Sequence, residues 1–340
     1  MSSEAHGIPA PAGEPVRVLY FAGSGRSGST VINNILGQVD GAFAAGELRY
    51  LWQRGVAENR LCGCATPFAD CALWRQVMDE VRAAVSPLDA AGVGSRLLSR
   101  LRMARVPAML ARRALGRRAV PAHPDDVAVA RLYAALAHVS GARVIVDSSK
   151  LPPYALLLSG LPGIELHVLQ VVRDSRATAF SWRRRKQARD YEAGDGFMPQ
   201  QPLWKSSLLW LCWNSLTVLL WHRDRDRYLR LRYEDFVRAP RESMERVVRL
   251  VGLDPATLPF ESPTCVRLEP THSVAGNPSR HRVGSVELRP DHEWLQAMPR
   301  RQRVLVTTLT APALRAFRYP LLPGGRTQGS SVVGRPNART

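Results

Sequence analysis

The sequence predicts an α/β fold, namely a P-loop-like parallel sheet flanked by helices, with a helical insertion or cap. Short apolar runs alternate with helical stretches along the chain, which is typical of parallel strands joined by helices that cover both faces of a sheet. The first apolar run, 16–22, also leads into a glycine-rich loop that a helical pattern follows. Strand, loop and helix in this order predict a site for an anion.

The individual elements follow from the same patterns. The strand candidates are short apolar runs at 16–22, 143–147, 165–172 and 228–232. The helix candidates are 30–36, 175–187 and 241–251, whereas 38–46 lacks the pattern of a strand. The longest apolar run lies within 204–221. Polar residues interrupt it and a basic stretch follows, so we expect a buried helix rather than a membrane span.

The 340 residues are enough for one large α/β domain, which we place at residues 16–322. The ends, 1–15 and 323–340, are rich in Pro, Gly, Ser and Arg and are predicted to be disordered tails. The segment 79–138 is mostly helical and strongly basic in pattern. Because it interrupts the alternation of strands and helices, we interpret it as the insertion or cap and not as a separate domain.

The charge is strongly positive, with a formal net charge of +18 that is carried almost wholly by arginine. A compositional bias toward arginine explains such a charge, and so does a basic surface for an anionic ligand, a polyanion or a membrane face. The N-terminus lacks the charged start and apolar core of a secretory signal, so we expect a cytoplasmic protein.

The loop 23–30, with the sequence GSGRSGST, is the first predicted anion site. Glycines allow the backbone to approach a ligand, and the free N–H groups at a helix start favour a phosphate. The candidate ligand-binding residues are Gly25, Arg26, Ser27, Gly28, Ser29 and Thr30. The loop matches a dinucleotide fingerprint weakly, and it lacks the lysine of a Walker A loop. A P-loop kinase or NTPase stays open, because Asp147 ends an apolar run as a Walker B aspartate does.

A second cluster of basic and hydroxyl residues follows the predicted strand 165–172. Arg173 lies at the carboxyl end of that strand, and the predicted helix after it carries Ser181 and Arg185. Ligands of open α/β sheets bind at the carboxyl ends of strands, so this cluster predicts a second phosphate. Dinucleotides and ATP do not usually require one, whereas 3′-phosphoadenosine 5′-phosphosulfate (PAPS) carries an additional 3′-phosphate.

With both clusters, the sequence resembles the PAPS-dependent sulfotransferase family, especially its bacterial and tyrosylprotein branches, over roughly residues 16–320. The resemblance implies that loop 23–30 binds the 5′-phosphosulfate and that Arg173, Ser181 and Arg185 bind the 3′-phosphate. It implies that Tyr233 touches the adenine. The segment 272–280 is similar to a bacterial loop that closes over the nucleotide, with Asn277 and Arg280 as candidate contacts. The Arg-Lys-Gly closing motif of the cytosolic enzymes is absent.

The resemblance also implies catalytic roles. Glu47 is the candidate general base, because its spacing from Arg26 is similar to that in tyrosylprotein sulfotransferases, and His272 is the alternative base. Lys150 resembles the lysine that stabilises the transferring sulfuryl group, with Arg26 assisting. Sulfuryl transfer places less charge on the transferred group than phosphoryl transfer does, so we predict no metal.

Cys62, Cys64 and Cys71 supply three potential zinc ligands, but no fourth Cys or His is close in sequence. We therefore interpret them as a structural feature near the acceptor pocket. The predicted partners are PAPS and an unidentified small-molecule, carbohydrate or natural-product acceptor, and no nucleic acid. Peripheral contact with anionic surfaces remains open, because the arginine-rich stretch 95–118 has the pattern of an amphipathic surface helix. A basic protein that binds nucleic acid or membranes is the non-enzyme alternative.

Overall fold

The computed structural model describes residues 14–185, 187 and 196–322. Its main sheet has five parallel strands in the order β2-β3-β1-β4-β5. They are β1 Val16–Ala22, β2 Ala42–Gly46, β3 Val144–Lys150, β4 Ile164–Val172 and β5 Tyr228–Arg232. The predicted tails lie outside the described residues, except that Glu14 and Pro15 lead into β1.

Helices connect these strands and pack on both faces of the sheet. Helix α1 (Ser29–Leu36) follows β1, and α6 (Pro152–Leu158) follows β3. Helices α7 (Ser175–Arg183) and α8 (Leu203–Trp221) lie between β4 and β5. The chain continues after β5 with α9 Tyr233–Arg238, α10 Pro240–Leu250, the antiparallel hairpin of β6 Cys265–Leu268 and β7 Gly284–Glu287, α11 Glu293–Ala297 and α12 Arg300–Ala316.

The predicted helical insertion lies between β2 and β3. It contains α2 Ala72–Ala84, α3 Ala90–Arg100, α4 Val106–Ala114 and α5 Asp125–Ser140. The stretch 95–118 is not one amphipathic helix, because α3 ends at Arg100 and a short 3₁₀ turn separates it from α4. Several arginines of the stretch are bound within the insertion. Arg100 and Arg118 both donate to the buried Asp126 carboxylate, at 2.9 and 2.6 Å.

Strand β1 lies at the centre of the sheet and is buried on both faces. Val18 and Tyr20 pack in one apolar cluster, while Leu19 and Phe21 pack in a second cluster on the opposite face. This alternation is the side-chain period of a strand, and burial on both sides explains why the run is continuously apolar. The rigid sheet therefore fixes the positions of the loops at its carboxyl edge.

One strand contradicts the sequence prediction. Residues 42–46, which were not expected to form a strand, form β2 beside β3. Small residues dominate the segment AFAAG, so it lacks the β-branched side chains by which strands are recognised. In the dinucleotide-binding order the second strand pairs with the first, whereas here β3 separates β1 from β2. The strand order therefore argues against the dinucleotide interpretation.

Two helices also differ from their predictions. Helix α7 ends at Arg183, so Arg185 lies beyond it and not on the helix as predicted. Helix α8 buries Trp210 and Asn214 but exposes Trp204 and Leu219, so it is buried on one side only. No helix among the described residues is long and apolar enough to cross a membrane.

Candidate active site

The carboxyl ends of all five parallel strands border one cleft, which has a volume of about 490 Å³. This is the edge at which open α/β sheets bind ligands, and the volume is that of a small-molecule site. Most of the residues predicted to act in binding or catalysis line the cleft. They are Gly25, Arg26, Gly28, Ser29, Thr30, Glu47, Lys150, Arg173, Ser181, Tyr233 and Asn277.

The first loop places a helix start against the cleft. Gly28 precedes α1 with a left-handed φ of 86°, and no side chain within 14–185, 187 and 196–322 caps the helix. A Cβ at Gly28 would lie 2.3 Å from the Tyr233 ring, so glycine allows the aromatic ring to pack on the loop. The uncapped N–H groups of α1 are therefore available to an anion beside an aromatic surface.

Arg26 lies within this loop, and its side chain is half-buried. Its guanidinium contacts the Met198 sulfur at 3.4 Å and lies over the Trp182 ring, 4.8 Å from the centroid. Its Nε and the Ser24 hydroxyl are buried and have no hydrogen-bond partner among the described residues. A half-buried cation with such weak partners is unfavourable by itself, so an anionic ligand would stabilise it.

Arg173 lies where β4 ends, beside the first loop. It donates to Asp291 at 2.6 Å and to the Arg26 carbonyl at 3.3 Å, and its guanidinium lies over the Tyr233 ring. It therefore connects the first loop to the tyrosine. The sequence did not single out Asp291, because an isolated aspartate in an irregular segment carries no recognisable pattern.

Three of the predicted binding residues do not line the cleft. Ser27 is buried beneath the loop, and Arg185 stacks on the Phe197 ring. Arg280 is buried and donates to the carbonyls of Leu61 and Ser273. The geometry shows Arg280 connecting two chain segments behind the cleft.

Glu47 and Lys150 form an ion pair at the floor of the cleft. Lys150 Nζ lies 2.7 Å from Glu47 Oε1 and also donates to the Ser148 carbonyl at 2.6 Å. Burial would raise the pKa of the Glu47 carboxyl, but Lys150, Arg49 and Arg54 outweigh it and hold the pKa below its ordinary value. Glu47 is therefore ionised at neutral pH.

The cleft carries additional cations that the sequence did not reveal. A 3₁₀ turn (Leu48–Tyr50) and a π-helical turn (Leu51–Ala57) follow Glu47, and they place Arg49 and Arg54 on the Tyr50 ring. Among the described lining residues, six are Lys or Arg, while Glu47 is the only carboxylate. This excess of positive charge favours a ligand with several negative charges.

Asp147, the candidate Walker B residue, is fully buried away from this cleft. It accepts hydrogen bonds from the Tyr133 hydroxyl and from the Ser149 backbone at 2.8 Å. Burial raises the pKa of Asp147 to about 6, against the opposing effect of these donors. Its carboxylate supports the interior of the fold, and its contacts are not those of a Mg²⁺ ligand.

His272 lies outside the cleft lining and contacts two of the three clustered cysteines instead. Its Nδ1 is 3.3 Å from the Cys71 sulfur and 3.8 Å from the Cys62 sulfur, while Cys64 and Cys71 are 3.9 Å apart. Sequence reasoning rejected a zinc site because no fourth ligand was near. In the structure, His272 takes the fourth position, although it lies about 200 residues further along the chain. At that separation the spacing of the residues does not indicate a shared metal site.

Comparison with known sequences agrees with this geometry. Residues 19–257 match the model of the Sulfotransferase family. Carbohydrate sulfotransferase 7 of Mus musculus is 28% identical, over 47% of this chain and 40% of that protein. Carbohydrate sulfotransferase 3 of Homo sapiens is also 28% identical, over 47% of this chain and 35% of that protein. The chain thus spans less than half the length of these curated relatives.

Solved structures share the fold. The sulfotransferase domain of the Synechococcus PCC 7002 olefin synthase has a TM-score of 0.53 and 18% identity, over 93% of this chain and 99% of that chain. The sulfotransferase domain from the curacin biosynthetic pathway has a TM-score of 0.50 and 15% identity, over 91% and 99% of the two chains. At these identities the likeness concerns the fold alone.

Proposed function

Because this chain belongs to the sulfotransferase family, we propose that it transfers a sulfuryl group from PAPS to a hydroxyl or similar group of a small acceptor. The observation that carries the proposal is the single cleft that joins the uncapped start of α1, Arg26 and Arg173 with the Glu47–Lys150 pair. Such a transfer requires groups that bind the two anionic ends of a nucleotide. It also requires a base with a cation beside it.

The residues at the cleft fit the donor nucleotide. The Ser24 hydroxyl and Arg26 Nε, which have no hydrogen-bond partner in the described part of the chain, match the oxygen-rich 5′-phosphosulfate, as do the N–H groups at the start of α1. Arg173 and Ser181 also line this cleft and suit the 3′-phosphate. The Tyr233 ring between them offers an apolar face for the adenine.

PAPS supplies a sulfuryl group on a 5′-phosphate leaving group when it is bound. Glu47 takes the proton from the acceptor hydroxyl while that oxygen forms its bond to sulfur. The bond between sulfur and the 5′-phosphate oxygen breaks, so the products are the sulfated acceptor and 3′-phosphoadenosine 5′-phosphate (PAP). Lys150 and Arg26 stabilise negative charge that develops on the transferring group and the leaving oxygen.

The Glu47–Lys150 pair links donor binding to base strength. In the free protein Lys150 holds the pKa of Glu47 low, which makes the carboxylate a weak base. An anionic sulfuryl group near Lys150 would compete for the same ammonium, so donor binding should weaken the pair and raise the pKa of Glu47. The base would then become stronger when a sulfuryl group is present to transfer.

A metal ion has little to bind in this cleft. Mg²⁺ prefers carboxylate and phosphate oxygens, and the only carboxylate among the described lining residues is already paired with Lys150. We therefore propose a donor site that does not use Mg²⁺. This separates the proposal from the kinase and NTPase alternatives, which require the metal.

Carbohydrates are the first acceptors to test, because two curated relatives are named carbohydrate sulfotransferases. The experiment incubates the protein with PAPS and a panel of sugars, alcohols and phenols, and detects sulfated products and PAP by mass spectrometry. A sulfated product that forms without Mg²⁺ supports the proposal. Phosphorylated products formed from ATP and Mg²⁺ would contradict it.

A further inference from the structure

The structure brings together four side chains that no reaction step above employs. The ligand atoms of Cys62, Cys64, Cys71 and His272 all lie within 4.8 Å of one another. Cys62 and Cys71 are buried, and Cys64 and His272 are half-buried. None of the four lines the nucleotide cleft. We propose that they bind a structural Zn²⁺ ion through three thiolates and the Nδ1 atom of the imidazole.

Three of the six distances between the ligand atoms are close to those of a tetrahedral site, and all six are at most 4.8 Å. Zinc bonds of about 2.3 Å to sulfur and about 2.0–2.1 Å to nitrogen give edges of about 3.8 Å between sulfurs and about 3.6 Å from sulfur to nitrogen. The cluster has a sulfur pair at 3.9 Å and sulfur–nitrogen pairs at 3.3 and 3.8 Å. An ion could enter with only small movements of these atoms.

The chemistry of the ligands favours zinc among the available cations. Three thiolates and one imidazole suit a borderline-soft ion, whereas calcium and magnesium require oxygen ligands. Four protein ligands leave no open position for a water or substrate, which is the pattern of a structural and not a catalytic site. The formal charge of such a centre is −1, and the buried Arg280 cation lies behind it, bonded to the carbonyls of Leu61 and Ser273.

The backbone around the cluster is arranged to bring the two segments close. Gly63 donates to the Ser273 carbonyl at 3.0 Å, and a Cβ at Gly63 would lie 2.4 Å from the Thr271 carbonyl oxygen. Trp74 Nε1 donates to the His272 carbonyl at 2.8 Å. The cysteine loop therefore approaches the histidine segment as closely as the backbone permits, and the approach requires glycine.

A metal at this position would fix part of the nucleotide cleft. Val274, two residues after the histidine, accepts from Glu47 N and donates to the Ala45 carbonyl, both at 2.8 Å. The chain then continues into Gly276, Asn277 and Ser279, which line the cleft. Zinc would thus hold both the backbone of the proposed base and the loop beside the nucleotide. The binding of the ion itself does not depend on the proposed reaction.

Metal content and metal geometry of the full chain test the inference directly. After purification without chelators, elemental mass spectrometry should find about one zinc per chain. X-ray absorption should find three sulfurs at about 2.3 Å from the zinc and one nitrogen. Replacing the zinc of the wild type with Co²⁺ should give thiolate-to-cobalt charge-transfer bands. All three measurements use the wild type, so they stand even where a variant fails to fold.

Variants then assign the ligands. Loss of a residue that only hydrogen-bonds to a metal ligand typically weakens metal binding by roughly 10–100-fold. Cys64→Ser and His272→Ala remove a ligand itself, so each should weaken zinc binding by more than that. Cys212→Ser, which changes an exposed cysteine on α8, should leave the zinc content unchanged. A wild type that holds neither zinc nor cobalt, or a Cys64–Cys71 disulfide in the purified protein, would overturn the inference. Full zinc content in both ligand variants would overturn it as well.

Discussion

Lys150 Nζ lies 2.7 Å from Glu47 Oε1, at the point where the ends of β2 and β3 meet the floor of the cleft. Both side chains are largely buried, with 8% and 17% of their surfaces exposed, so solvent screens the pair less than it would a surface ion pair. Lys150, which we propose stabilises charge, and Glu47, which we propose takes the proton, therefore interact before any substrate binds.

Glu47→Gln should reduce turnover by about 10²–10⁴-fold on an alkyl hydroxyl acceptor, because the amide keeps the shape but cannot accept the proton. The loss should be smaller on an acidic phenol, which needs less help in releasing its proton. Nucleotide affinity should stay near that of the wild type, measured by calorimetry, and Glu287→Gln on the exposed end of β7 is the matched control. If Glu47→Gln retains most activity on an alkyl hydroxyl acceptor, Glu47 is not the base.

Lys150→Met should change the pH dependence of the rate as well as its size. Burial is the largest influence on the pKa of Glu47 and raises it, while Lys150 is the first of the cations that lower it. A base acts when deprotonated, so the wild-type rate should fall only as the pH drops below the usual Glu range, and in Lys150→Met it should fall at a higher pH.

The readout is the acid limb of kcat/KM for PAPS against pH, which reports ionisations of the protein before the donor binds, with Lys205→Met on the exposed side of α8 as the control. An acid limb at the same pH in Lys150→Met and in the wild type would show that the ion pair does not set the ionisation of the base.

Arg26→Ala and Arg173→Ala should each weaken PAP binding at least about tenfold, because loss of a charge-assisted contact to phosphate costs on the order of 1.5–3 kcal/mol. Titration calorimetry on folded variants measures the change, and Arg225→Ala removes an exposed arginine outside the cleft as a control. Unchanged affinity in both cleft variants would place the nucleotide elsewhere.

Asp291→Asn should strengthen the binding of PAP relative to AMP. Arg173 donates to Asp291 at 2.6 Å in the free protein, so a 3′-phosphate must share this arginine with a carboxylate of the same sign. The amide removes that negative charge, and the gain should appear with PAP and be absent with AMP. A weaker affinity for PAP would mean that Asp291 mainly positions Arg173.

The sequence was informative where the chemistry is local. Most of the loop 23–30 lines one cleft together with Arg173 and Tyr233, because strand ends of a parallel sheet converge at one edge. The donor-binding roles of these residues stay predictions. The strand of Ala42–Gly46 was missed because small residues carry little strand preference. Asp291, Arg49 and the fourth member of the cysteine cluster were missed because only tertiary packing brings them to their partners.

Affinity for PAP compared with AMP is the measurement that tests the account most directly, because it needs no acceptor. In calorimetric titrations of the full chain without divalent metal, PAP should bind at least about tenfold more tightly than AMP. This factor corresponds to one charge-assisted contact to phosphate. The advantage should disappear in Arg173→Ala. Equal affinities for PAP and AMP, or binding of ATP only with Mg²⁺, would contradict the assignment of the cleft to a 3′-phosphorylated sulfuryl donor.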